Sequence, residues 1–159
     1  MKPIRGLLSL GSTLALVSVV GPGTSRAHGD TEPKDVTSGV LSVGLVELRN
    51  NNGQTGCGLW PSERGFPKDR TAAIQTKWCR IANRESLCAF DPIASGTYAV
   101  ACFHDENNNR LLDTGLFGIP TEGLVASRSA KGFMGPPKFD DAKFWFAGKA
   151  AELRLRMGY

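Results

Sequence analysis

Residues 96–137 decide the fold of this chain, and they read GTYAVACFHDENNNRLLDTGLFGIPTEGLVASRSAKGFMGPP. The segment from Thr97 to His104 is apolar on both faces, which predicts a central strand that is covered on each side. A cluster of short oxygen-bearing side chains, residues 105–109, follows this strand directly. Glycine and proline then recur as far as Pro137 and predict one long, ordered loop with fixed bends. We expect five apolar side chains to anchor this loop on the domain: Phe117, Ile119, Leu124, Phe133 and Phe139.

Six further segments have the short, β-rich patterns of strands. They cover residues 40–48, 54–60, 74–81, 86–90, 142–146 and 150–157. No segment has a helical period, so the sequence predicts an all-β fold, an antiparallel β-sandwich of about seven strands. Tyr98, which follows Gly96 at the start of its strand, is typical of a tyrosine corner, whose hydroxyl bonds to a nearby backbone group.

Residues 1–27 have the pattern of a secretory signal peptide: Lys2 and Arg5, then an apolar run, then Ser25-Arg26-Ala27. We expect a flexible N-terminal tail over residues 28–38 and the β-sandwich domain over residues 39–159. Removal of the leader lowers the formal net charge from +4 to about +1. Basic residues are scattered among acids, which excludes a nucleic-acid partner. We expect an exported monomer, periplasmic or extracellular, with no transmembrane segment after cleavage.

All four cysteines follow the predicted leader, and an even number in an exported chain predicts two disulfides. Two pairings are open. Cys79 would lie opposite Cys88 across the turn at Asn83-Arg84, but this bridge would close a very short loop. Bridges Cys57–Cys88 and Cys79–Cys102 would close longer loops and would each stabilise the fold by about 3–4 kcal/mol in the chain-entropy model. We therefore favour the second pairing.

The cluster after the central strand matches part of a calcium loop of the D-x-[DN]-x-[DN] type. Side chains at its positions 1, 3, 5 and 9 are Asp105, Asn107, Asn109 and Asp113, and Leu111 would add its backbone carbonyl. Several oxygens on a curling chain are what a hard cation requires. The cluster therefore predicts a weak calcium site at residues 105–113. The alternative is an Asn-rich turn held by bonds from side chains to the backbone.

Two positions depart from that calcium pattern. Arg110 stands at position 6, where a glycine normally makes the sharp turn, and Leu116 stands at position 12, where a bidentate acid is expected. Glu122 or Glu106 would have to supply the missing oxygens. Because few formal charges are available, any calcium site here is expected to be weak.

The segments GTYAVACFHDENNNRLLDTGLFGIPTEG and GFMGPPKFDDAKF resemble a secreted bacterial family known as domain of unknown function 2141. The resemblance implies a transthyretin-like or immunoglobulin-like β-sandwich, and the family's function is itself uncharacterised. It also implies cysteines on the strands of Cys57 and Cys88, which supports pairing them. The family's signature residues fall here on His104–Asn107, Asn109, Leu112, Asp113, Gly118, Pro120, Glu122, Gly123 and Gly135–Pro137.

The leading hypothesis from the sequence is an exported, non-catalytic β-sandwich module whose 105–113 loop binds calcium or braces the Gly/Pro-rich loop. Two alternatives belong to other classes. A carbohydrate- or peptide-binding module would use Trp60, Trp78 and Trp145 as stacking platforms. A hydrolase would use His104 with Asp105 or Glu122 for acid–base chemistry, which requires these groups within hydrogen-bond reach of one another.

Overall fold

The computed structural model describes residues 37–159, and its architecture is all-β, as predicted. The strands are β1 Ser38–Gly39, β2 Leu41–Val46, β3 Gln54–Trp60, β4 Gln75–Ala82, β5 Glu85–Ala89, β6 Ile93–Ala94, β7 Gly96–Asp105, β8 Leu124–Ala126, β9 Phe144–Phe146 and β10 Ala151–Arg156. One short helix, α1, covers Phe139–Ala142, and 3-10 turns cover Arg70–Ala72, Leu116–Gly118 and Ser127–Ser129.

Eight of the strands form one sheet, in the order β10-β2-β5-β4-β3-β7-β8, with β9 added to β7. β1 and β6 form a separate two-stranded sheet. We expected every strand pair to be antiparallel, but β10 runs parallel to β2. A bridge between Leu124 and Gly158 brings β8 close to the segment after β10. The large sheet is therefore nearly closed into a barrel around its core.

The main hydrophobic core lies on one face of the large sheet. Leu41, Val43 and Leu45 of β2 are fully buried, as their shared face predicts. In β7, Val100 belongs to this main core, whereas Ala99 on the other face packs in a second, smaller cluster with residues of β8 and α1. The prediction of a central strand covered on both sides is thus confirmed for β7.

Tyr98 makes the corner that its position predicts. Its hydroxyl donates to the carbonyl oxygen of Ala94 at 3.1 Å, and its ring is buried in the main core. This bond ties the start of β7 to the end of β6, so the chain turns sharply before the central strand begins.

The favoured disulfide pairing is wrong. Cys57 bonds to Cys102, with Cα atoms 4.1 Å apart, and Cys79 bonds to Cys88, with Cα atoms 5.6 Å apart. Cys57 and Cys102 are direct partners in the register of β3 and β7. Ile81 pairs with Ser86, and the same register continued by two residues sets Cys79 opposite Cys88. Strand register, which sets opposed residues side by side on neighbouring strands, decides the pairing, and loop length does not.

The long loop is anchored differently from the prediction. Leu124 lies in β8, and Phe139 packs in the second cluster. The prediction is wrong for Phe117, Ile119 and Phe133, whose side chains are exposed. Local hydrogen bonds hold the loop where we expected apolar anchors, as described below for residues 105–122.

Two predictions concern the N-terminal part of the chain. The signal peptide, residues 1–27, lies outside the described residues, and so does most of the tail, residues 28–38; Ser38 is part of β1. Within residues 37–159, no helix has the length and apolar character needed to cross a membrane.

Candidate functional site

The polar loop of residues 105–113 begins where β7 ends and lies against the turn between β2 and β3. Gly53 in that turn has a φ of +69°, and a Cβ atom on it would lie 1.9 Å from the carbonyl oxygen of Asp105. A side chain at position 53 would therefore push the two turns apart, and glycine is required for this close approach.

Asp105 is the anchor of the loop, and its side chain is fully buried. One carboxylate oxygen accepts the backbone N–H of Asn109 at 3.0 Å. The other accepts the backbone N–H of Arg110 at 3.0 Å and the side-chain amide of Gln54 at 2.8 Å. Three donors thus compensate the desolvation of this buried charge. They also wind residues 106–110 around the carboxylate.

The asparagines continue the winding and meet the second aspartate. The side-chain oxygen of Asn107 accepts the N–H of Asn109 at 3.0 Å, and that of Asn109 accepts the N–H of Leu111 at 2.7 Å. Their Nδ2 groups donate to the two oxygens of Asp113, at 2.7 and 2.9 Å. The four side chains predicted for positions 1, 3, 5 and 9 are therefore brought together in one loop.

The sharp turn at position 6 of the calcium pattern is formed although the residue there is not glycine. Arg110 has a φ of +61°, in the left-handed region that a glycine adopts readily. For an arginine this conformation costs about 1–2 kcal/mol. Leu116, at position 12, has its side chain 84% exposed and brings no side-chain oxygen to the loop.

Glu122 connects the two ends of the loop. Its oxygens accept the backbone N–H of Glu106 at 2.8 Å and that of Asp113 at 3.0 Å, and the carboxylate is buried. A buried carboxylate that accepts two backbone amides holds both segments in place. The sequence placed Glu122 near the loop but did not predict this bracing role, because a contact across a long loop has no local pattern.

Glu106 extends the network toward the β2–β3 turn. It forms an ion pair with Arg49 at 2.5 Å and accepts the side-chain amide of Asn50 at 2.7 Å. Burial opposes ionisation of this carboxyl group, but the bonds from Arg49 and Asn50 outweigh it and lower its pKa.

The lowered pKa of Glu106 predicts a pH dependence of stability. Its contribution is complete above the ordinary pKa of 4.5 and is lost as pH falls through the lower pKa of the folded state. We expect Glu106→Gln to be less stable than the wild type near neutral pH, and the difference to shrink below about pH 4. Urea unfolding between about pH 3 and pH 7 measures it. Glu63→Gln, on an exposed loop, is the control, and a Glu106→Gln difference that stays constant with pH would contradict the assignment.

His104 lies behind the loop with both ring nitrogens engaged. Nε2 lies 2.8 Å from the carbonyl oxygen of Asn52, which can only accept, so Nε2 carries a proton. Nδ1 lies 2.7 Å from the hydroxyl of Tyr159, which itself accepts the backbone N–H of Arg49 at 2.9 Å. Burial raises the pKa of Tyr159, so its phenol stays protonated at neutral pH, and its hydroxyl forms the hydrogen bond with Nδ1.

Because both ring nitrogens of His104 already form hydrogen bonds inside the protein, neither is available to a substrate. The ring is fully buried. The carboxylate oxygens of Asp105 accept hydrogen bonds from backbone amides and from Gln54, and those of Glu122 accept hydrogen bonds from backbone amides. No hydrogen bond joins the side chain of His104 to that of Asp105 or Glu122 in the described part of the chain, so the contacts that the hydrolase hypothesis requires are not formed. Tyr159, which bonds to His104, was missed in the sequence because its partners are more than 50 positions away.

The three tryptophans do not form a common platform. Trp60 is buried and packs edge-on against Phe66. Trp78 packs edge-on against Phe103, with the guanidinium groups of Arg70 and Arg110 near its ring. Trp145 is exposed. Of the stacking surfaces suggested by the sequence, Trp145 is thus the one that a sugar or peptide would reach.

Within residues 37–159, no three His, Cys, Asp or Glu side chains are arranged as a metal centre of their own. Any cation in the loop would therefore depend on amide and carbonyl oxygens as well as on Asp105 and Asp113.

The family model described as an uncharacterised protein conserved in bacteria, DUF2141, matches residues 43–154. This range contains β3 to β9, both disulfides and the whole polar loop. No curated protein and no solved structure matched the chain.

Proposed function

We propose that this chain, which belongs to the bacterial family DUF2141, is an exported, non-catalytic β module whose 105–113 loop takes up one calcium ion. The observation that carries the proposal is the convergence of four oxygen-bearing side chains on a loop that is already wound: Asp105, Asn107, Asn109 and Asp113. The left-handed backbone at Arg110 supports it further, because the turn that the calcium pattern requires is formed without glycine.

The donor set fits calcium rather than a softer metal, because every candidate ligand is a carboxylate, amide or carbonyl oxygen. Asp105 and Asp113 would supply the charge, and Asn107, Asn109 and the carbonyl of Leu111 would supply neutral oxygens. When bound, the ion would join the start and the end of the loop electrostatically. Because Leu116 contributes no carboxylate, and because the oxygens of Asp105 and Glu122 already accept hydrogen bonds that a cation would have to share, we expect weak binding, on the order of 1 mM.

Export and the absence of catalysis rest on separate observations. Two disulfides are typical of an oxidising compartment outside the cytosol. The absence of catalysis is supported by His104, whose two nitrogens are bonded to Asn52 and Tyr159 inside the protein.

Calcium should raise the melting temperature of the oxidised protein. At about 10 mM calcium, a 1 mM site adds about 1.4 kcal/mol to the free energy of unfolding, or roughly 5 °C in Tm. Asp113→Asn should abolish this shift. Its side chain is partly exposed and accepts hydrogen bonds only from the amides of Asn107 and Asn109, so the variant loses one charge and one of these two bonds and leaves the buried anchor Asp105 in place. Thermal unfolding in chelator and then in calcium measures the effect.

The matched control is Asp141→Asn, which removes an exposed aspartate from α1. This variant should keep the full calcium shift, and magnesium should give a smaller one because it prefers a rigid octahedral site. The same shift in all three proteins would mean that calcium acts elsewhere. No shift in the wild type would leave the loop as a hydrogen-bonded brace.

A further inference from the structure

The large sheet carries an aromatic pair on the face turned away from the main core, where β3, β4 and β7 lie side by side. Gly56 of β3 pairs with Trp78 of β4 on one side and with Phe103 of β7 on the other. Because the next residue, Cys57, points into the main core, Gly56 and its two partners lie on the outer face. The two rings meet edge-on with centroids 5.7 Å apart. A Cβ atom on Gly56 would lie 2.6 Å from the indole, so glycine is required for this close approach.

Two arginines from separate loops converge on the indole ring of Trp78. The guanidinium carbon of Arg70, in the first 3-10 turn, lies 5.2 Å from the ring centroid, and that of Arg110, in the polar loop, lies 5.4 Å from it. We call Arg70, Trp78 and Arg110 the arginine cluster. Arg80 lies on the same face of β4 as Trp78 and adds a third positive charge nearby. Like charges brought to one place repel each other unless an anion compensates them.

The carboxylates around the arginine cluster are bonded to other groups. Asp105, the acid that β3, β4 and β7 place on this face, accepts three hydrogen bonds from amides. Other acids on adjoining strands and loops also have partners: Asp69 with Thr71, Glu85 with Arg154, Glu106 with Arg49, and Asp113 with Asn107 and Asn109. Among residues 37–159, no ion pair joins an acid to Arg70, Arg80 or Arg110. This part of the face therefore keeps an excess of positive charge.

Arg70 provides the observation that points to a ligand. Its Nη1 atom is buried and has no hydrogen-bond partner among the described residues. The carboxylate of the preceding residue, Asp69, accepts both the backbone N–H and the hydroxyl of Thr71. These bonds lower the pKa of Asp69, and the arginine whose charge adds to the effect is Arg64. A buried, charged donor without an acceptor is costly, and an oxygen of a bound anion would satisfy it.

We propose that the arginine cluster binds a phosphate group, as inorganic phosphate or as a phosphate monoester. The guanidinium group presents its N–H donors in a planar fork that matches the oxygens of phosphate, and such charge-assisted bonds are strong. The excess of positive charge favours a doubly charged anion over a single carboxylate, and Arg80 adds to the attraction. The inference does not rest on calcium, so its test can be made without that ion.

Titration with inorganic phosphate at constant ionic strength tests this directly, in calcium-free solution and without a soluble chelator, since chelators are themselves anions. Nuclear magnetic resonance of the indole N–H groups follows the binding. The signal of Trp78 should move and reach saturation, whereas the signals of Trp60 and Trp145 should stay in place. Arg70→Gln and Arg110→Gln should each weaken binding about tenfold or more, because a hydrogen bond between charged groups is lost. Acetate should bind at least tenfold more weakly than phosphate.

The matched control is Arg154→Gln, which removes an exposed arginine that is paired with Glu85 and should leave phosphate binding unchanged. Arg70→Lys keeps the charge without the fork and should restore part of the affinity lost in Arg70→Gln. Equal weakening in all three glutamine variants would reduce the effect to general attraction between charges and would overturn the proposal. So would a Trp78 signal that does not respond to phosphate in the wild type, because Arg70 and Arg110 would then serve only to cover the ring.

Discussion

Replacing Asp105 with alanine should lower the free energy of unfolding by about 3–5 kcal/mol, measured by urea denaturation in chelator. The truncation leaves three donors, the amide of Gln54 and the backbone N–H groups of Asn109 and Arg110, without their common acceptor. Each unsatisfied buried donor costs about 1–3 kcal/mol, and water that enters the space recovers part of this. A loss of this size would make Asp105 the residue on which the loop conformation depends.

Two variants separate this explanation from a general effect of removing an acid. Asp105→Asn keeps one oxygen acceptor and should lose an intermediate amount, roughly 2 kcal/mol. Asp91→Ala removes an aspartate whose side chain is 75% exposed and paired with Lys77, and should cost less than about 1 kcal/mol. If Asp105→Ala were as mild as Asp91→Ala, the carboxylate would be hydrated in solution and the loop would not be wound around it.

The two disulfides should differ in their contribution to stability. The Cys57–Cys102 bridge spans 45 positions and should contribute about 4 kcal/mol in the chain-entropy model. The Cys79–Cys88 bridge spans 9 positions and should contribute about 2.5 kcal/mol. Replacing both cysteines of a pair with alanine should therefore be clearly more damaging for the first pair than for the second, as measured by denaturant unfolding.

Peptide mapping without reduction provides the control for this prediction. Trypsin leaves Cys88 and Cys102 on one peptide, since residues 85–109 contain no lysine or arginine. Chymotrypsin separates them by cutting after Phe90 or Tyr98. A fragment that joins Cys57 to Cys88 would contradict the observed pairing, and equal losses in the two double variants would argue against the loop-length dependence.

Most of the fold could be predicted from local patterns. All seven predicted strands correspond to strands in the structure, because turn residues such as Asn83 and Gly53 mark their ends and apolar residues alternate within them. β8 was missed because Leu124–Ala126 is short and lies among turn residues. The parallel pairing of β10 with β2 was missed because two strands so far apart in the sequence carry no sign of their mutual direction.

The candidate site could be predicted in part, because some of its residues are close together in the sequence and others are not. Asp105, Asn107, Asn109 and Asp113 are close in sequence, and their spacing is sufficient to bring them into one loop. The roles of Glu122 and Tyr159 depend on contacts across the fold. The exposure of Phe117 could not be predicted either, because an apolar residue in a loop is as typical of an anchor as of a projecting tip.

The place of β10 sets a condition on the order in which the domain folds. β2 lies near the start of the described chain, and its parallel neighbour β10 covers Ala151–Arg156. Until those residues have been synthesised, β2 has an unpaired edge, and the bridge between Leu124 and Gly158 cannot form. An open strand edge is a site where unfinished chains associate. Folding is therefore completed only after nearly the whole domain has left the ribosome, and the edge of β2 stays open until then.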